Sequence, residues 1–95
     1  MRVKSVTWLP NVEDKLLRKH NTLVSEVEEV LFGSPHIRFV EKGHHPDEDL
    51  YAAYGQTEEG RYLMVLFVLK ADRQALIISA REMDHKEQRS YDRRT

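Results

Sequence analysis

The chain of 95 residues contains no cysteine. Disulfide stapling, thiolate zinc sites, iron–sulfur clusters and a cysteine nucleophile are therefore excluded. It also lacks a long apolar run. The longest, residues 63–69, falls far short of the about 20 apolar residues that a membrane-spanning helix needs. The N-terminus, Met1-Arg2-Val3-Lys4-Ser5, has no apolar stretch of the signal-peptide kind. A soluble, cytoplasmic domain is the expectation. Charge of one sign is missing too: 15 Lys and Arg against 16 Asp and Glu leave a net charge of −1. That balance excludes a simple polycation wrapped on nucleic acid, though a local basic face remains open. With only four glycines and three prolines, the chain has no glycine-rich phosphate loop. A nucleophile elbow and a zinc-protease helix are absent as well.

What is present is periodicity. Residues 3–8 alternate and predict a short strand. Asn11 can cap a following helix, in which Val12, Leu16 and His20 share one face at spacing four; Asn21 suits its left-handed C-cap. Leu23, Val24, Val27, Val30 and Leu31 form the apolar stripe of a second helix starting between Thr22 and Ser25. Ser25 and Glu28 have the spacing of a capping box, and Gly33-Ser34-Pro35 ends that helix. From His36 the period falls to two. Residues 36–42, 50–57, 62–70 and 74–80 predict four strands, and three-residue separators between the last three demand antiparallel hairpins. The strand over 62–70 is apolar on both faces and should be the most buried. Residues 82–94 predict a terminal helix. The expected fold is α+β: a strand, two helices, a four-stranded antiparallel meander and a C-terminal helix, with the helices on one sheet face.

Three groups of residues can carry chemistry. Arg81, at the end of the strand Leu76-Ile77-Ile78, can hold a phosphate bidentately, with Glu87 and Tyr91 on one face of the next helix and Arg89 and Arg93 near it. The plainer use of Arg81 is to pair with Glu87 or Glu82 and dock the helix. Lys15, Arg18, Lys19 and His20 end the first helix. They complement its dipole, and the same cations can bind phosphate with His20 moving a proton. A half-buried histidine without chemistry is the alternative for His20. His44-His45-Pro46-Asp47-Glu48-Asp49 crowds metal-type ligands, but adjacent histidines seldom converge on one ion, and a solvated loop accounts for the stretch. Tyr51 and Tyr54 point to opposite sheet faces, so at most one of them belongs to a binding surface.

Several short pieces recur in a known order: Trp8 with Pro10, Arg18-Lys19-His20, residues 27–32 with Gly33-Ser34-Pro35, and Glu48-Asp49-Leu50-Tyr51. They continue through Gly55, Gly60-Arg61-Tyr62-Leu63 and Ile77-Ile78-Ser79-Ala80-Arg81, ending with Glu87 and Tyr91. In these residues and in the order of its elements the chain resembles the BrnT toxin family, whose members have a compact RelE-like ribonuclease fold. It departs from the family pattern at Leu9, Val12 and Leu16, where members often carry Asp, Lys and Asn.

The resemblance implies that residues 1–95 form a single BrnT-like domain. It implies the toxin of a type II toxin–antitoxin system, a metal-independent endoribonuclease that inhibits translation and needs no cofactor. A BrnA-like antitoxin and RNA are the implied partners, with no membrane, in a homodimer or a toxin–antitoxin hetero-oligomer. On this resemblance His20, Arg81, Glu87 and Tyr91 are the expected catalytic residues. Arg18, Lys19, Arg61 and Arg89 are the expected RNA and phosphate contacts. The alternative is a non-catalytic interaction module that keeps the fold with a degenerate active site.

Overall fold

The structure, a computed structural model, describes residues 1–94. Its elements are β1 (Ser5–Trp8), α1 (Val12–His20), α2 (Val24–Phe32), β2 (His36–Glu41), β3 (Leu50–Gln56), β4 (Tyr62–Lys70), β5 (Gln74–Glu82) and α3 (His85–Arg94). Strands β2 to β5 form the antiparallel meander that the short connections demand. The sheet nonetheless has five strands, in the order β1-β5-β4-β3-β2. β1 lies parallel to β5, with Ser5 opposite Gln74 and Trp8 opposite Ile77. Parallel neighbours need a long connection, and the whole chain between them provides it. The Lys4 N–H donates to the Arg73 carbonyl at 2.9 Å and ties β1 to the β4–β5 turn.

The helices do not share one sheet face. Side chains alternate along a strand, so successive residues of β4 serve opposite sides. Leu63, Val65 and Phe67 pack with Leu16 of α1 and Val27, Val30 and Leu31 of α2 in the main core. Met64 joins Ala52, Met83 and Tyr91 in a second cluster, with Tyr54, Tyr62 and Leu66 against it. Tyr91 belongs to α3, so α3 covers the face opposite α1 and α2. A strand apolar on both sides requires that cover, which corrects the expected one-sided packing.

Local details follow from hydrogen-bonding needs. Asn11 takes a left-handed conformation (φ 72°) and its side chain makes no cap bond, contrary to expectation; Asn21 (φ 47°) closes α1 as its spacing predicts. α2 starts at Val24, and the Leu23 N–H donates to Glu26 Oε1 at 3.0 Å, so Glu26 rather than Glu28 satisfies that end. α3 starts at His85 because β5 runs on through Glu82, paired with Leu63. Asp84 and Glu87 cap it reciprocally. The Asp84 N–H donates to Glu87 Oε1 at 3.0 Å and the Glu87 N–H to Asp84 Oδ1 at 2.8 Å. Gly55 lets β3 approach α2, since an added Cβ would stand 3.0 Å from Val30 Cγ1.

Candidate functional site

An extra residue in β5 decides where Arg81 points. Phe67 pairs with Ile77 but Leu66 pairs with Ser79, leaving Ile78 unpaired in a bulge. Residues directly opposite on antiparallel strands share a face. Ile77 and Ala80 therefore both serve the main core, while Ser79 and Arg81, opposite Leu66 and Met64, turn to the α3 side. In an unbroken strand Arg81 would share the core face with Ile77, four residues away.

Arg81 then meets the first turn of α3. Its Nη1 donates to Glu87 Oε1 at 2.7 Å and its Nη2 to Glu87 Oε2 at 3.0 Å, with a further bond from Nη1 to the Glu82 carbonyl at 2.9 Å. These bonds use three of the five N–H donors of a guanidinium. The bonds from Arg81 hold the Glu87 carboxyl below its usual range against the opposing effect of burial, and the Asp84 N–H adds to the lowering. Glu87 in turn raises Arg81 above its ordinary value. Both groups keep their charges at neutral pH.

Beside this pair, between β2–β3 and α3, lies a cavity of about 230 Å³ lined by His36, Ile37, Arg38, Tyr54, Lys86, Glu87, Ser90, Tyr91 and Arg94. His36 and Arg38 reach it because they lie opposite Tyr54 and Ala52, on the α3 face of the sheet. The Arg38 guanidinium sits 5.8 Å from the centre of the Tyr54 ring, within cation–π range. Tyr91 contacts His36 and Tyr62 edge to face, at centroid distances of 5.3 and 5.9 Å. The Tyr62 hydroxyl donates to Asp92 Oδ1 at 2.9 Å; that bond raises the Tyr62 pKa and fastens the last turn of α3 to β4. Three cations and one carboxylate around this opening suit a polyanion, and the rings offer faces for bases. Among the described residues no three His, Asp or Glu side chains are grouped to hold a metal ion.

The remaining expected residues lie elsewhere. His20, half-buried, ends α1 on the other side of the sheet, with Arg18 and Lys19 exposed in the same last turn. Arg89 is exposed on α3 and does not line the cavity. Arg61 is fully occupied. Its Nε and Nη2 donate to Glu82 Oε1 at 3.2 and 3.1 Å, its Nη1 to the Asn21 carbonyl at 2.7 Å and Glu26 Oε1 at 2.8 Å, and its Nη2 to the His20 carbonyl at 3.0 Å. Burial alone would lower its pKa, but the bonds to Glu26 and Glu82 outweigh that and raise it. Arg61 thus closes the carbonyl end of α1, the start of α2 and the end of β5 with every donor it has. Sequence spacing brought Arg81, Glu87 and Tyr91 together and overlooked His36, Arg38, Tyr54, Lys86 and Arg94 as one group. Two signals were available: His36 and Arg38 at strand spacing, and Lys86, Ser90 and Arg94 at successive helix spacings of four.

A two-faced sheet with a cation-lined cleft under its terminal helix defines a small α+β domain. The chain belongs to the family of the ribonuclease toxin BrnT of type II toxin–antitoxin systems, whose model matches residues 8–87. The fold is similar to that of the Brucella abortus ribonuclease toxin BrnT, known from a 1.1 Å crystal structure: TM-score 0.62, 16% identity, covering 87% of this chain and 100% of that one. No curated protein matches the chain in sequence. Family membership makes it a ribonuclease toxin with an antitoxin as partner. No helix among the described residues is long and apolar enough to cross a membrane.

Proposed function

We propose that the chain is a metal-independent endoribonuclease that arrests translation by cleaving RNA in the cleft between β2–β3 and α3. The observation that carries this is the Arg81–Glu87 pair beside an opening lined by Arg38, Lys86 and Arg94. In such a reaction the ribose 2′-hydroxyl attacks the adjacent phosphorus, so the nucleophile comes with the substrate. The protein supplies fixed positive charge for the phosphorane and groups that move protons. Arg81, oriented by Glu87, offers its uncommitted donors to the phosphate, and Tyr91 sets the far wall of the cleft. Arg38 and Arg94 hold flanking phosphates, and Tyr54 gives a base a ring to stack on. His20, Arg18, Lys19, Arg89 and Arg61 are left outside this set on their positions. A BrnA-like antitoxin in a cytoplasmic hetero-oligomer completes the proposal.

A second reading, a non-catalytic module that keeps the fold and the antitoxin, draws on the engagement of Arg81 by both Glu87 oxygens. Induced expression separates the two. Growth arrest with loss of messenger RNA for the wild type, and growth without arrest for Arg81→Ala, is the expected outcome. Normal growth with abundant folded wild-type protein would favour the module.

A further inference from the structure

β2 ends the sheet, and no strand among the described residues pairs with its outer side. Alternate residues of an antiparallel edge strand turn both N–H and C=O away from their one neighbour. Such an edge is a template for another strand unless it is short or covered. β1, at the other edge, is short, with four residues of which three are half-buried. β2 has six, and Arg38, Phe39, Val40 and Glu41 are all exposed.

The two faces of that edge differ. On the main-core face three rings stand in register across neighbouring strands: Phe67 on β4, Tyr51 on β3 and Phe39 on β2. Their centroids are 5.9 and 5.8 Å apart, and the row stops at Phe39, which is 53% exposed. On the α3 face Arg38 stands at the cleft, with Lys86 and Arg94 on α3 across the opening. The carboxylate among the cleft residues, Glu87, is already bound by Arg81. Val40 has no partner on β3 where the register shifts, so regular pairing is confined to residues 36–39.

A strand added here therefore needs an apolar side chain beside Phe39 and an acidic one beside Arg38. A second copy of this chain does not supply them. Paired antiparallel through β2, it would bring its own cleft cations to the same face, like charge toward like. RNA meets the cations but offers no peptide groups to the edge.

Resting on the toxin reading above, we propose that the outer edge of β2 docks an extended segment of the antitoxin in which acidic and apolar residues alternate. The segment adds a sixth strand to the five present, beside residues 36–39. Its apolar side chain extends the row of rings past Phe39, and its carboxylate lies on Arg38 and closes the cleft to RNA. In this mode of recognition main-chain bonds give affinity and alternate side chains give specificity.

The test uses the full chain and a capped heptapeptide of alternating Glu and Val, with a Lys and Val counterpart as control. One N-methylated form of the Glu peptide carries its methyl groups on the Glu amides, another on the Val amides. Only one of these two sets of amides can face β2 in a ladder. Amide exchange read by NMR maps the contact, and cleavage of an RNA oligonucleotide is followed in parallel. The Glu peptide should slow exchange at alternate residues of 36–39 and inhibit cleavage, the Lys peptide should do neither, and one methylated form alone should lose binding. Phe39→Thr, which keeps a β-former on the strand, should weaken the peptide about fivefold and leave cleavage unchanged. No binding of the Glu peptide, equal binding of the Lys peptide, or loss with both methylated forms or neither would overturn the docking assignment. So would protection of the β2 edge by RNA, or by raised protein concentration alone. Absence of cleavage by a wild type that still binds the peptide through β2 would overturn the ribonuclease reading and leave the docking edge in place.

Discussion

Arg81 and Glu87 meet as two forks, Nη1 to Oε1 at 2.7 Å and Nη2 to Oε2 at 3.0 Å, across the junction of β5 and α3. Glu87 also accepts the Asp84 N–H, so one carboxylate both caps the helix and aims the arginine. The pair is partly open to solvent, with the Arg81 side chain 40% exposed, so its value for stability is modest. Its value for geometry is larger, because it fixes a planar cation at the edge of the cleft.

That pairing makes stability depend on pH in a stated direction. The folded-state pKa of Glu87 is lowered. Its contribution is therefore fully present above the unfolded value of about 4.3 and disappears as pH falls through the folded value. Urea midpoints measured from pH 7 to pH 3 should fall more steeply below pH 4.5 for wild type than for Glu87→Gln. Parallel curves would contradict the pairing.

Arg61 separates a structural cation from a functional one. Its five bonds join two helices and a strand end, so Arg61→Ala should lower unfolding stability by about 2 kcal/mol in urea titrations. Arg61→Lys should recover little of that, because an ammonium cannot reproduce a planar fork with five donors. Cleavage per folded molecule should stay near wild type for Arg61→Lys. A selective loss of cleavage without loss of stability would make it a phosphate contact after all.

The bulge makes neighbours unequal. Ile77 is fully buried, whereas Ile78 is 41% exposed. Ile77→Ala should cost about 2–5 kcal/mol and Ile78→Ala less than about 0.5 kcal/mol, measured by chemical denaturation. Equal costs would mean that β5 pairs in one unbroken register.

The cations around the cleft should appear in salt dependence. For a single-stranded RNA, each phosphate contact contributes about 0.7 to the slope of log affinity against log salt. Arg38→Ala and Arg94→Ala should each reduce the slope by about that amount, and Lys19→Ala, on the other face, should leave it unchanged. A reduced slope for Lys19→Ala alone would move the RNA path to α1.

Much of the fold is written in local spacing. The meander, α1 with its Asn21 cap, and the grouping of Arg81, Glu87 and Tyr91 were legible because each depends on residues within about a dozen positions. What stayed hidden depends on distant partners. The parallel pairing of Ser5–Trp8 with β5 and the meeting of His36 and Arg38 with Lys86 and Arg94 join segments about 50 or more residues apart, and the side of the sheet taken by α3 rests on contacts of Tyr91 with Met64 and Ala52 that no local pattern marks. The bulge at Ile78 was hidden for another reason: Leu76-Ile77-Ile78 reads as an even apolar run, and only the pairing with β4 shows which isoleucine the core takes. Arg61 carried no local mark of its role, since its partners lie on α1, α2 and β5.

The most direct test is cleavage of a defined RNA oligonucleotide by purified wild-type protein and Arg81→Ala, beside a substrate with 2′-deoxy at the cleavage position. The account predicts a cyclic-phosphate product from wild type, none from the 2′-deoxy substrate, and a rate for Arg81→Ala lower by about 100- to 1,000-fold with the fold retained. Cleavage by Arg81→Ala at the wild-type rate would contradict the placement of the reaction in this cleft.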